Sequence, residues 1–150
     1  MKILITGAFG NVGLYTLKSL LNGGHKVRVL ELKNKRNLKI LDDLQKNNAN
    51  SIEMMWGDIT DIISLRRAVK GQDIIIHQAF IIPDLSEQKP NWAWEINVEG
   101  TRNLLRAAAE EEIKAKIVFT SSVSVFGETQ DQKPPRKIKD QVKPTDNYSH

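Results

Sequence analysis

Three glycines near the N-terminus constrain the fold of this chain more than any other feature. They are spaced G-x-x-G-x-x-G, at Gly7, Gly10 and Gly13. They directly follow the apolar run at residues 1–5, which is typical of a buried parallel strand. Leucines at helical spacing come next, and a second apolar run at residues 26–30 ends at Glu31. This order predicts a strand–helix–strand unit with a glycine-rich first turn.

Such a turn is suited to binding a dinucleotide. A tight turn from strand to helix needs backbone angles that a Cβ would obstruct. Glycines also let the backbone approach a pyrophosphate, whose charge meets the N–H groups and the positive dipole at the helix N-terminus. Glu31 would accept hydrogen bonds from an adenosine ribose, and its charge would repel a 2′-phosphate. The pattern predicts NAD rather than NADP, although Lys33 and Arg36 lie close enough to weaken that preference.

Composition excludes several classes of protein. The 150 residues, 40% hydrophobic and 27% charged, fit one globular domain with its own core. With no cysteine and three scattered histidines, we expect no disulfide, thiolate chemistry or metal site. No apolar run is long enough to cross a bilayer and the N-terminus has no signal-peptide layout, so we expect a cytoplasmic protein without membrane contacts. The net charge of +4 comes without a nucleic-acid-binding motif, and we expect no nucleic-acid partner.

Apolar runs alternate with amphipathic stretches along the whole chain. Predicted strands lie at residues 1–5, 26–30, 51–56, 73–77 and 116–120. Predicted helices follow the glycine turn, then lie near 38–48, at 62–69 behind a cap at Thr60 or Asp61, and at 92–112 after a loop at 80–90. This alternation predicts an α/β fold, a Rossmann-type doubly wound parallel sheet of strand order 3-2-1-4-5. We assign residues 1–126 to the dinucleotide-binding domain and 127–150 to an irregular tail.

Five segments in order give the chain a specific resemblance to a known family. They are residues 6–13, 57–61, 75–79, 97–101 and 120–127, with the sequences TGAFGNVG, GDITD, IIHQA, NVEGT and TSSVSVFG. The chain resembles the N-terminal portion of the extended short-chain dehydrogenase/reductases, the NAD-dependent epimerase/dehydratases that act on nucleotide sugars. This resemblance implies hydride transfer between NAD and a nucleotide sugar.

The same resemblance implies which residues form the site. At the cofactor it implies Gly7, Phe9, Gly10, Asn11, Val12 and Gly13 for the pyrophosphate, Glu31 for the adenosine ribose, Asp58 and Ile59 for the adenine, Gln78 and Ala79 for the nicotinamide-side ribose and phosphates, and Asn97 as a brace for the active-site strands. Two residues are implied for catalysis: Ser122 hydrogen-bonds the substrate hydroxyl, and Tyr148 is the catalytic tyrosine. Phe126 stands where the family often has a tyrosine.

One expected catalytic group falls beyond the sequence. In the family, a lysine four residues after the tyrosine lowers the pKa of the phenol so that it can accept a proton. Here the chain reads Tyr148-Ser149-His150, and His150 is not at the lysine position. We therefore expect a portion truncated before the later strands, with the tail leading into the tyrosine helix and without the C-terminal substrate lobe. We expect it to bind NAD and to be inactive alone.

Several of these residues also have a purely structural interpretation. Asp58 follows a strand and is equally typical of a turn or helix cap. His77 ends an apolar strand, which favours a buried structural histidine over a base. Trp92 and Trp94 are better explained by helix packing than by ligand binding.

The type of reaction is less constrained than the fold. Ser122-Val123-Ser124 carries no carboxylate where the 4,6-dehydratases of the family have an acid pair, which favours an epimerase. The apolar residues 80–83 leave open a reductase of a less polar alcohol or ketone. A non-catalytic NAD(P)-binding sensor module is also left open, as is a homodimer, because the family interface uses helices that flank the fifth strand.

Overall fold

The computed structural model describes residues 1–111, 115–128 and 135–149. Five parallel strands form one sheet in the order β3-β2-β1-β4-β5. The strands are β1 (Lys2–Thr6), β2 (Lys26–Glu31), β3 (Ile52–Trp56), β4 (Ile74–His77) and β5 (Lys116–Phe119). The predicted strand order is confirmed, and each predicted strand boundary is within one residue of the observed boundary.

Helices connect the strands and cover both faces of the sheet. They are α1 (Asn11–Asn22), α2 (Lys35–Asn48), α3 (Ile62–Val69), α4 (Leu85–Gln88), α5 (Pro90–Trp94) and α6 (Thr101–Glu110), with a π-helical segment at Glu95–Gly100 and a 3₁₀ turn at Val123–Phe126. Helix α2 begins earlier than predicted because the Asn34 side chain accepts a hydrogen bond from the Asn37 N–H at 2.9 Å and caps it. Helix α3 is capped by Asp61, whose carboxylate accepts from two backbone N–H groups of the first turn.

The stretch between β4 and β5 differs most from the prediction. Residues 80–90 are not wholly a loop, because α4 occupies Leu85–Gln88 and α5 begins at Pro90, where a proline fits the first helical turn. The long helix predicted at 92–112 is interrupted by the π-helical segment and ends at Glu110. Its predicted last residue, 112, lies outside the described residues, as does His150.

The core consists of two layers, one on each face of the sheet. Leu4 and Ile75, which are register partners on β1 and β4, pack with the apolar faces of α3 and α6. Ile5 and Val29 pack on the opposite face against α1 and α2. The central strand β1 is therefore buried on both faces, as a parallel strand with helices on either side must be.

The strand at the open edge of the sheet is much less buried. The side chains of β5 are exposed, with Phe119 at 51%. After the 3₁₀ turn, the described part of the tail returns to that turn, since the Lys143 N–H donates to the Val125 carbonyl at 2.8 Å. Among the described residues, none of the helices has the length and apolarity that a membrane span requires.

Candidate functional site

The glycine turn lies between the carboxyl end of β1 and the start of α1. Gly7 has φ +72°, and a Cβ there would overlap the Gln78 carbonyl and lie 2.6 Å from Ala79 N. A Cβ on Gly13 would overlap the Gly7 carbonyl and lie 2.8 Å from the Cα of Ala8. Both positions therefore require glycine, one because of its φ and its close approach to β4, the other because α1 packs tightly on the turn.

The N-terminus of α1 is open toward solvent. Its cap, Gly10, provides no side chain, and no acidic residue lies in the first turn. The first intrahelical bond runs from Leu14 N–H to the Gly10 carbonyl, so the preceding N–H groups belong to the unpaired first turn. These groups are on Asn11, Val12 and Gly13, and the side chains of Asn11 and Val12 are exposed. The turn thus presents N–H groups and a positive dipole end to an anion.

Glu31 ends β2 and is held against the glycine turn. Its Oε1 accepts a hydrogen bond from the Phe9 N–H at 2.9 Å, and Asn37 Nδ2 lies 3.5 Å from its Oε2. Burial raises the pKa of Glu31 above its usual value, while the hydrogen bonds from the Phe9 and Leu32 backbone and the nearby Arg36 guanidinium lower it by less. The Phe9 side chain itself is buried, so only the backbone of Phe9 faces the site.

A cleft of about 280 Å³ joins these elements at the carboxyl ends of β1, β2 and β4. Among the predicted cofactor residues, its lining includes Gly7, Phe9, Gly10, Glu31, Asp58, Ile59, Gln78 and Ala79. The carboxylate of Asp58 accepts from the N–H and the hydroxyl of Thr60, both at 2.9 Å, so this residue also forms a turn. Phe80, Ile81 and Trp92 also line the cleft.

A second, smaller cleft brings the two predicted catalytic residues together. Its volume is about 160 Å³, and Ser122, Tyr148 and Asn97 line it with Phe80 and Phe119. The Ser122 hydroxyl donates to Ser124 Oγ at 3.0 Å and accepts from the Ser124 N–H at 3.2 Å. A hydroxyl oxygen has two lone pairs, so Ser122 Oγ retains one for a ligand. Phe80 lines both clefts, so they are adjacent.

Asn97 and His77 contact the residues after β4 that separate the two clefts, Phe80 and Ile81. Asn97 lies in the π-helical segment, where its Oδ1 accepts from the Ile81 N–H at 2.7 Å and its Nδ2 donates to the Ile81 carbonyl at 2.9 Å. Asn97 therefore holds the loop after β4, whereas the resemblance implied a brace for the strands themselves. His77 is buried and hydrogen-bonded through both ring nitrogens, to Thr6 and Thr101, which agrees with its structural interpretation.

Beside Glu31, sequence reasoning noted Arg36 only as a nearby positive charge and missed Asn37. Arg36 Nη2 donates to the Phe9 carbonyl at 2.8 Å and so ties α2 to the glycine turn. Asn37 is buried and donates to the Leu32 carbonyl at 2.8 Å as well as approaching Glu31. The spacing Asn34-x-x-Asn37 is an N-cap pattern that would have indicated the start of α2. Nothing in the sequence pattern indicated that Asn37 would face inward.

The residues of the larger cleft fit a dinucleotide. Gly7, Gly10 and Gly13 place no side chain on the turn, and the unpaired N–H groups at the start of α1 offer donors to a pyrophosphate. Glu31 offers an acceptor for a ribose hydroxyl. Among the described residues, the buried Oε1 of Gln78 has no hydrogen-bond partner, and it lies on a residue that lines the cleft. A buried acceptor of this kind is normally paired, so a ligand donor at this position would satisfy it.

The parallel sheet, the glycine turn at its switch point and the acid that ends β2 define a Rossmann-type dinucleotide-binding protein. The model of the NAD dependent epimerase/dehydratase family matches residues 3–150. The chain therefore belongs to that family, which confirms the resemblance drawn from the five sequence segments.

Individual relatives agree with this assignment. The UDP-glucose 4-epimerase of Neisseria meningitidis serogroup C is 37% identical over 133 residues, which cover 85% of this chain and 38% of that protein. Sterol demethylase protein B of Methylococcus capsulatus is 30% identical over 127 residues, 85% of this chain and 36% of that protein. The solved UDP-Glc/GlcNAc 4-epimerase of Campylobacter jejuni matches with a TM-score of 0.85 and 26% identity, over 99% of this chain and 44% of that one. The chain thus spans less than half the length of the relatives it matches.

Proposed function

We propose that this chain binds NAD in the larger cleft and forms the cofactor-binding part of a nucleotide-sugar epimerase that works by hydride transfer. The observation that carries the proposal is the contact between the two clefts at Phe80. A site for a dinucleotide and a site with a serine and a tyrosine share one wall, as hydride transfer between a bound cofactor and a substrate hydroxyl carbon requires. The similarity to UDP-glucose 4-epimerases supports a sugar nucleotide as the substrate.

The predicted cofactor residues have separate roles in this proposal. The N–H groups at the start of α1 bind the pyrophosphate, and Glu31 accepts a hydrogen bond from an adenosine ribose hydroxyl. Asp58 and Ile59 border the adenine, while Gln78 and Ala79 contact the nicotinamide side. Because Glu31 is an anion, it disfavours the additional phosphate of NADP.

In the smaller cleft, Ser122 and Tyr148 act on the substrate. The Ser122 hydroxyl orients the substrate by donating a hydrogen bond to its reacting oxygen, in place of the bond that it donates to Ser124. Tyr148 takes the proton of the substrate hydroxyl as its carbon is oxidised. NAD, when bound, supplies the hydride acceptor of the oxidation. Ser122-Val123-Ser124 has no carboxylate to eliminate water, which favours epimerisation over dehydration.

Titration calorimetry with NAD and NADP tests the cofactor assignment. We expect NAD to bind more tightly, and Tyr148→Phe and Ser122→Ala to bind NAD as the unchanged protein does. Tighter binding of NADP would contradict the role of Glu31. Absence of binding to either dinucleotide would contradict the proposal as a whole.

Turnover is tested separately by the absorbance of reduced nicotinamide and by sugar isomerisation with UDP-glucose. The expectation that these 150 residues bind NAD without turnover when alone stays a prediction. Turnover by this chain that Tyr148→Phe abolishes would overturn that expectation and support the catalytic assignment. NAD binding with no turnover in any longer form of the protein would favour the sensor module.

A specific observation favours a second candidate, a reductase of a less polar alcohol or ketone. Phe80 and Ile81, at the junction of the two clefts, are followed by Ile82, which is 59% exposed, so the wall near the substrate is apolar. A charged sugar nucleotide gains little from such a wall, whereas a sterol would bury it. The similarity to sterol demethylase protein B points the same way. Turnover of a hydroxysteroid, with none of UDP-sugars, would favour this candidate.

A further inference from the structure

A series of side-chain hydrogen bonds, which we call the hydrogen-bond chain, connects residues of the larger cleft with residues of the smaller one. Thr6 Oγ1 lies 2.7 Å from His77 Nδ1, and His77 Nε2 lies 2.8 Å from Thr101 Oγ1. Thr101 Oγ1 donates to the Asn97 carbonyl at 2.6 Å. The Asn97 side chain then holds both backbone groups of Ile81. The chain thus links β1, β4, α6, the π-helical segment and the loop after β4.

The bond from Thr101 to the Asn97 carbonyl selects one of the two tautomers of a neutral His77 ring. A hydroxyl has a single hydrogen, and the hydrogen of Thr101 is used on the Asn97 carbonyl. Thr101 Oγ1 must therefore accept from His77, so the proton of the imidazole is on Nε2. Nδ1 is then an acceptor, and the Thr6 hydroxyl donates to it. The three bonds then run in one direction: Thr6 donates to His77, His77 donates to Thr101, and Thr101 donates to the Asn97 carbonyl.

The surroundings keep the imidazole neutral. Its exposed fraction is 1%, and the rings of Phe80 and Phe119 lie 4.8 and 5.8 Å from it between centroids. Burial lowers the pKa of His77 to about 4, so it carries no charge near neutral pH.

This series of hydrogen bonds begins and ends at residues that line the two clefts. Thr6 directly precedes Gly7, and the backbone of Gln78, next to His77, lies against Gly7 where a Cβ would overlap. At the other end, Ile81 lines the larger cleft and Asn97 lines the smaller one. The two ring hydrogen bonds of His77 therefore tie the strand that leads into the glycine turn to Thr101 and, through it, to Asn97.

We propose that His77 is a positioning residue that, through Thr6 and Thr101, fixes the distance between the pyrophosphate turn and the nicotinamide side of the cleft. This inference rests on the proposed binding of NAD. It predicts that breaking the chain weakens the binding of the whole dinucleotide but not of its adenosine half, which Glu31 and Asp58 contact. A residue that merely stabilises the fold would not distinguish between these two ligands.

The main test is Thr101→Val, which removes the acceptor and preserves the volume. We expect the Kd for NAD to rise roughly three- to tenfold, the loss that one buried hydrogen bond brings, and the Kd for AMP to stay unchanged. Binding is measured by calorimetry well below the unfolding midpoint of each protein. Asn48→Leu is the matched control, since the Asn48 side chain also donates to a carbonyl four residues earlier, that of Leu44 at 3.2 Å, and neither residue lines either cleft. It should leave both Kd values unchanged.

His77 variants test the direction of the protons. His77→Gln can place an amide donor near Nε2 and should retain most of the NAD affinity, whereas His77→Asn, which reaches only toward Thr6, should lose as much as Thr101→Val. The double variant His77→Asn/Thr101→Val should bind NAD no more weakly than His77→Asn, because the two residues act through one interaction.

A measurement on the unchanged protein does not depend on whether any variant folds. The ¹⁵N chemical shifts of the His77 ring should identify Nε2 as protonated and Nδ1 as unprotonated at neutral pH. The opposite tautomer would overturn the inference, as would Thr101→Val that binds NAD as tightly as the control does. If the unchanged protein binds AMP but no NAD, the proposed function fails instead, and the tautomer result still stands on its own.

Discussion

The backbone N–H of Phe9 donates to the carboxylate of Glu31 at 2.9 Å, so the glycine turn and the end of β2 are joined by a charged hydrogen bond. The Leu32 N–H and Asn37 Nδ2 also approach this carboxylate, so three of the four lone pairs on its two oxygens are engaged. The remaining lone pair can accept from a ribose hydroxyl, so in the proposed function Glu31 both orients the turn and contacts the cofactor. Substitutions at Glu31 should therefore change both the selectivity between dinucleotides and the order of the turn.

We expect Glu31→Gln to weaken NAD binding about tenfold and to reduce the preference for NAD over NADP. The amide removes the negative charge that repels a 2′-phosphate, and it loses a charge-assisted hydrogen bond worth about 1.5–3 kcal/mol. Calorimetry with the two dinucleotides measures both effects. Glu53→Gln is the matched control, because Glu53 is an acid on the neighbouring strand whose side chain is 60% exposed and paired with Arg28. Equal selectivity in Glu31→Gln and Glu53→Gln would contradict this prediction.

The preference for NAD should also depend on pH. Burial raises the pKa of Glu31 above 4.5, so its charge is lost at a higher pH than that of an exposed glutamate. As the pH falls through this raised pKa, the ratio of NAD to NADP affinity should decrease, and it should recover when the pH is raised again. The ratio in Glu31→Gln should stay level over the same range. If this affinity ratio decreases equally in Glu31→Gln, a group other than Glu31 causes the pH dependence.

Gly7 and Gly24 allow the effect of φ to be separated from that of crowding. Both have φ +72°, but a Cβ on Gly24 would meet no atom within 4 Å. Gly24→Ala should therefore cost only the strain of the left-handed region, about 1–2 kcal/mol in the free energy of unfolding. Gly7→Ala adds overlap with Gln78 and Ala79, which should lower the free energy of unfolding by about 1–3 kcal/mol more. It should also abolish NAD binding. Urea unfolding and calorimetry measure the two quantities, and similar unfolding costs for both variants would count against the crowding argument.

Arg28 should matter for stability and not for binding. Its Nη1 donates to the carbonyls of Ala68 and Lys70, both at 2.8 Å, at the carboxyl end of α3, and none of these residues lines the larger cleft. Its side chain is 16% exposed and also pairs with Glu53 at 2.9 Å. Arg28→Met leaves the α3 carbonyls unpaired and should lower the free energy of unfolding by about 2 kcal/mol without changing the Kd for NAD. Arg66→Met, which removes a more exposed arginine that pairs with Glu110, should cause no measurable loss of stability.

The local sequence pattern was sufficient to predict those parts of the structure that depend on residue spacing and on the general rules of strand connection. The glycine spacing, Glu31 at the strand end and the alternation of apolar runs predicted the turn, the acid beside it and the strand order, because each depends on neighbours in sequence or on the general handedness of crossovers. The placement of Ser122 and Tyr148 in one cleft was implied by the resemblance and not by spacing.

The stretch between β4 and β5 could not be predicted in the same way. Residues 92–112 have helical periodicity, but this pattern does not indicate the π-helical segment, whose Asn97 bonds Ile81 sixteen residues away. Asn97 is held by Ile81, and Thr101 bonds the Asn97 carbonyl while it accepts from His77 on another strand. Residue type alone does not indicate which of these polar groups will meet. For the same reason, the sequence favoured a buried His77 but could not name its partners.

The buried His77 should make the protein less stable in weak acid. In the unfolded chain a histidine binds a proton near pH 6.5, whereas burial lowers the pKa of folded His77 to about 4. The unfolded state therefore binds more protons between these values, and the free energy of unfolding should fall by up to about 1.4 kcal/mol per pH unit, roughly 3 kcal/mol in all. Above pH 6.5 and below pH 4 His77 should contribute no slope. Urea unfolding from pH 7 to pH 4 measures this dependence, and His77→Gln, which cannot titrate, should be less stable at pH 7 but have a shallower slope. An equal slope in that variant would assign the acid sensitivity to other groups, since a missing titration can only flatten the curve.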